Sequence, residues 1–148
     1  VTTQALLLCA ALLPAAGDVP AADAGASDLA KMQGDWMVAS ITNDGIKLSN
    51  DEAQTLFRTV SGNQYTIFNF NKPISRGTFK IDATKKPKTI DSTPPGPPGK
   101  VKPTLGIYEF NGDTLKICNG RPGMPRPTSF DAKADSNQTC IIWQPEKK

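Results

Sequence analysis

The sequence predicts an all-β domain of about eight short strands, and three observations carry that expectation. Thirteen prolines and twelve glycines in 148 residues demand many turns. Few segments hold a 3.6-residue apolar period for the length of an ordinary helix. Asn111-Gly112, flanked by apolar alternation, is a strong hairpin signal. One domain is the expectation at this length. Hydrophobic content of 38% with 21% charge describes a globular chain, and a net charge of +3 is too mild to name nucleic acid as a partner.

Residues 1–17 carry no charge, and residues 5–16 (ALLLCAALLPAA) form an apolar run. As a helix that run spans roughly 18 Å, short of a bilayer core of roughly 30 Å. No membrane span is therefore expected. Although it lacks a basic n-region, its length and the small residues Ala15 and Gly17 fit a secretory h-region with its cleavage site. Leu6-Leu7-Leu8-Cys9 lacks the small residues that precede a lipidated cysteine. The expectation is a signal-peptide-like segment over 1–17, a flexible spacer over 18–28 and a domain over 29–148. That domain would be periplasmic or secreted, and monomeric.

Ser27 is positioned to cap one helical turn, residues 28–33, which Gly34 ends. Residues 35–42 form the first strand, with Trp36 and Val38 on one face and Met37, Ala39 and Ile41 on the other. Asn43-Asp44-Gly45 turns the chain. Ser49 and Glu52 make a capping box that opens a short helix to about Phe57. Strands follow at 64–70 and 77–82, flanking a loop Asn71-Lys72-Pro73, and then at 88–92. Residues 93–103 (TPPGPPGKVKP) are a stiff crossover, because proline donates no ladder hydrogen bond.

The hairpin over 104–119 is expected to pair Phe110 with Asp113, Tyr108 with Leu115 and Gly106 with Ile117. Gly106, Tyr108, Phe110, Leu115 and Ile117 then share the core face. Ile107, Glu109, Thr114, Lys116 and Cys118 face outward. After a rigid loop at 121–127, Phe130 starts a strand, and residues 139–144 close the domain. The count suits a sandwich or a barrel. With the Phe130 strand between them, Cys118 and Cys140 would stand two strands apart, roughly 9–10 Å. A disulfide needs Cα atoms within roughly 7 Å, so two free thiols are expected.

Gly34-Asp35-Trp36, behind a helical turn and leading the first strand, resembles the opening of lipocalins, in which the Trp plugs the closed end of an eight-stranded barrel. The blocks LAKMQGDWMVAS, GTFKIDATKKPKTID, GIYEFNGDTLKIC and RPGMPRPTSF are together similar to a small lipocalin-like domain of unknown function abundant in planctomycete bacteria. The similarity runs over about residues 29–143. It implies an antiparallel up-and-down (lipocalin-like) β-barrel with one or two short helices, exported, and it brings no established activity. Lipocalins also stack an Arg from near the last strand on that Trp. Residues 139–144 contain none, which leaves Arg126 and Arg58 as candidates for the place.

The chain has no histidine, which removes His-based triads, His metal ligands and imidazole bases. Cys118 and Cys140 lack CxxC spacing, so neither a zinc site nor thiol catalysis is indicated. Asp82, Asp91, Glu109 and Asp113 stand at strand ends or turns, where acids are ordinary. The expectation is therefore no enzyme, no catalytic residue, no metal and no cofactor. Lys80, Lys85, Lys86, Lys88, Lys100 and Lys102 cluster without an interleaved aromatic for base stacking, and read as a solvated loop.

Trp36, Tyr65, Phe68, Phe70, Phe79, Tyr108, Phe110 and Trp143 either fill the interior or line a cavity in it. The candidate ligand-binding residues are Trp36, Tyr65, Tyr108 and Arg126, with Tyr108 and an Arg holding a carboxylate head in an apolar pocket. Two functions follow from the two interiors. One is a non-catalytic exported module that binds a small, mostly apolar ligand. The other is a structural or protein-interaction domain of the cell envelope with a filled core. An interior pocket of several hundred Å³ would favour the first.

Overall fold

A computed structural model describes residues 20–147, so the charge-free segment 1–17 and the start of the expected spacer lie outside the described residues. Among the described residues, two short helices, α1 (Ala21–Lys31) and α2 (Asn50–Ala53), accompany nine strands. These are β1 (Gly34–Asn43), β2 (Ile46–Lys47), β3 (Leu56–Ser61), β4 (Gln64–Asn69), β5 (Lys72–Asp82), β6 (Lys88–Thr93), β7 (Thr104–Asn111), β8 (Thr114–Gly120) and β9 (Gln138–Pro145). From β3 to β9 each strand pairs antiparallel with the next, β1 pairs with both β3 and β9, and a closed eight-stranded up-and-down barrel results. The tiny β2 only folds back on the end of β1. The fold is the all-β barrel that the sequence predicts. No helix among the described residues is long and apolar enough to cross a membrane.

Helix α1 begins seven residues earlier than expected and takes in most of the segment read as spacer. Alanine-rich sequence favours helix, and Asp23 in the first turn with Lys31 in the last suits the helix dipole. Its far end is anchored, with Asp28 and Met32 buried against the barrel. Helix α2 has the expected capping box but ends at Ala53. Leu56 and Phe57, expected at the end of that helix, belong instead to β3, Leu56–Ser61. Its Leu56, Arg58 and Val60 alternation faces the interior, and pairing with β1 and β4 decides the conformation.

Strand β1 corrects its own alternation. The pairing with β9 slips between Val38 and Ser40, leaving Ala39 as an extra residue. This bulge returns Ile41 to the face of Trp36 and Val38, and all three are buried. The next hairpin, β4–β5, turns at Phe70 and Asn71, both with positive φ (45° and 65°), so β5 starts at Lys72. Pro73 is tolerated because it lies beside a register shift.

In the β7–β8 hairpin the two central residues are Gly112 and Asp113, which pairs Phe110 with Leu115, Tyr108 with Ile117 and Gly106 with Asn119. The register differs by two residues from the expected one, and a shift of two preserves the faces. Only Gly112 of the two has positive φ (62°), which is the demand of a turn with Gly first.

The larger correction concerns the cysteines. Residues 121–137 contain no strand and cross the outside of the barrel, so β8 and β9 are direct neighbours. Cys118 stands opposite Cys140 with Cα atoms 4.0 Å apart, and the two form a disulfide rather than free thiols. The crossing segment covers them. Ile107, Cys118, Ala132 and Cys140 form a second buried cluster against Phe130, on the face expected to be exposed.

Candidate functional site

The inward residues divide the barrel into two halves. At the α1 end, Met32, Trp36, Val38, Val60, Phe79, Tyr108, Leu115 and Trp143 pack together, in a core cluster that continues to Ile90 and Ile117. The Trp36 indole Nε1 donates to the Met32 carbonyl oxygen at 2.9 Å, tying the end of α1 over the barrel. Asp28 is 4% exposed and accepts from the Tyr108 hydroxyl at 2.8 Å and from Lys88 Nζ at 2.6 Å. Lys88, read as part of a solvated run, is thus the partner of a buried acid. Burial first, and then the hydrogen bond and charge of Asp28, push the Tyr108 hydroxyl far above the ordinary tyrosine range.

The other half holds a cavity of about 160 Å³. Ile67, Ile90, Ile117 and Ile141 supply its apolar walls. Ser75, Ser92, Thr104 and Asn119 stand nearer the strand ends away from α1, and Ser75 is exposed, so the cavity reaches solvent there. Gly106, by lacking a side chain, makes room for the side chain of Asn119. A Cβ there would meet the Asn119 side chain and, at 2.9 Å, the Cys118 carbonyl oxygen.

Arg58, Tyr65 and Trp143 line the inner end. Arg58 is 4% exposed and projects inward from the middle of β3. Its guanidinium carbon lies 5.6 Å from the ring centres of Tyr65 and Phe79 and 5.9 Å from that of Trp143. Ring faces stabilise a cation, yet they offer no acceptor to its in-plane N–H groups, and Nε is buried without a partner. The three ion pairs among the described residues are Lys88–Asp28, Arg126–Asp91 and Lys133–Asp131, so none neutralises Arg58. Burial lowers its pKa to about 10, below the ordinary arginine range, which leaves it cationic at neutral pH.

Of the four residues selected from the sequence, Tyr65 lines this cavity. Trp36 belongs to the packed half, and the Tyr108 hydroxyl is committed to Asp28. Arg126 lies outside the barrel, where it holds Asp91 and donates to the Gly106 carbonyl oxygen at 2.7 Å. It straps the 121–137 crossing to β6 and β7. Arg58, a candidate for stacking on Trp36, lies over the rings of Tyr65, Phe79 and Trp143 instead and is the charged residue of the cavity. The alternation Leu56-x-Arg58-x-Val60 is the sequence signal that marks it as inward-facing.

Comparison of the chain with protein-family models, with curated proteins and with solved structures finds no match.

Proposed function

We propose that this protein is a non-catalytic, exported, lipocalin-like binding module that takes one small ligand into the open half of its barrel. The observation that carries the reading is the cavity of about 160 Å³, walled by isoleucines, edged by hydroxyl and amide groups and reaching solvent at one end. Apolar walls with a few polar groups are the usual composition of a small-molecule site. Size limits the occupant. A cavity of roughly 150 Å³ accepts a benzene-sized molecule, so the part of the ligand held inside has about six to nine non-hydrogen atoms. Export is supported by the apolar run at 5–16.

Trp143 lines the cavity, so its fluorescence reports occupancy. Titration with small aromatic and aliphatic compounds is expected to give a saturable change that Ile117→Phe, which fills the space, abolishes. Linear, unsaturable responses from every compound up to millimolar concentration would defeat the proposal. The second reading, an envelope domain with a filled core, draws on the packed α1 half and on a cavity below the roughly 300 Å³ of drug-sized sites.

A further inference from the structure

We infer that the ligand is a small monocarboxylate whose head pairs with Arg58 at the inner end of the cavity; the inference rests on the binding reading above. A buried guanidinium without a counter-ion costs free energy that an apolar residue at the same place would not. Arg58 has that character, because it is 4% exposed, unpaired among the described residues and orphaned at Nε. Its neighbours account for the charge only in part. Tyr65, Phe79 and Trp143 present rings within 5.9 Å, and rings satisfy neither Nε–H nor the terminal N–H donors.

A carboxylate supplies what is missing. Two coplanar oxygens accept two parallel N–H bonds from a guanidinium, and the pair cancels the charge. The position of Arg58 also sets the ligand's orientation. The cavity walls beyond it are Ile67, Ile90, Ile117 and Ile141, so the anionic head points inward and the apolar body fills the space towards the mouth. A solvated inorganic anion would leave those four side chains facing a void or water. Charge selects a carboxylate over a neutral molecule, and the enclosed volume is filled by one of the benzoate or hexanoate size.

The test needs no variant for its first arm. Isothermal titration calorimetry of the purified protein at neutral pH compares benzoate with benzyl alcohol and benzamide, which share its ring and lack its charge. Benzoate is expected to bind at least tenfold more tightly than either, and the advantage to vanish as the pH falls through the acid's own pKa. Arg58→Met should reduce benzoate affinity to that of benzyl alcohol while benzyl alcohol binding persists. Equal affinity for benzoate and benzyl alcohol in the parent protein would overturn the carboxylate assignment and leave the binding module standing. Failure of all three compounds, and of hexanoate, to bind the folded protein would overturn both.

Discussion

The guanidinium carbon of Arg58 sits 5.9 Å from the centre of the Trp143 ring, with no carboxylate paired to it among the described residues. Two effects of similar size oppose each other there. Burial disfavours the charged form and lowers the pKa to about 10, a cost on the order of 3 kcal/mol. Three ring contacts return about 0.5–1 kcal/mol each. Arg58→Met should therefore change stability by no more than about 1 kcal/mol, although the residue is in the core. A urea midpoint that drops by the equivalent of about 3 kcal/mol or more would make the cation a structural requirement instead.

Tyr108 is held neutral by burial and by Asp28. Its proton is retained to higher pH in the folded state than in the unfolded one. Its contribution is thus complete below the ordinary tyrosine value of 10.0 and is lost as pH rises through the folded value. In a Tyr65→Phe background, ultraviolet titration should show phenolate appearing only well above pH 10. Adding Asp28→Asn should bring the transition down part of the way, since burial remains. An unchanged transition would show that Asp28 does not act on the hydroxyl.

Trp36 is 4% exposed and bonded to the Met32 carbonyl. Trp36→Ala should cost about 3–5 kcal/mol, as large-to-small aromatic changes in cores do. Trp36→Phe should cost less, leaving mainly the Met32 oxygen without its donor. Equal denaturation midpoints for parent and Trp36→Ala would remove the residue from the closed end of the barrel.

The Cys118–Cys140 bond closes a sequence separation of 22 residues. Mass spectrometry of unreduced protein should find two hydrogens fewer than the thiol form, mapped to a linked peptide pair. Replacing both cysteines by alanine should lower stability by about 2–4 kcal/mol. Detection of two alkylatable thiols in the native protein would contradict the direct β8–β9 pairing.

What the sequence determined by itself is local and periodic. The capping box at Ser49 and Glu52, the prolines that bar residues 94–103 from a sheet, and the inward face of Tyr108, Phe110, Leu115 and Ile117 all depend on near neighbours. Side-chain alternation survives a register error of two, which is why the hairpin faces stand although their pairing moved. Only the tertiary structure decided which strands meet. Phe130 carries the local signal of a strand, yet it packs over Ile107 and Cys118, and that choice alone makes Cys140 the neighbour of Cys118. The extra residue at Ala39 is likewise invisible locally, because it answers the pairing of β1 with β9 across the closed barrel. Arg58 shows the limit most clearly. Its inward direction is written in Leu56-x-Arg58-x-Val60, but whether an acid faces it depends on what seven other strands bring to the interior, and they bring rings and isoleucines.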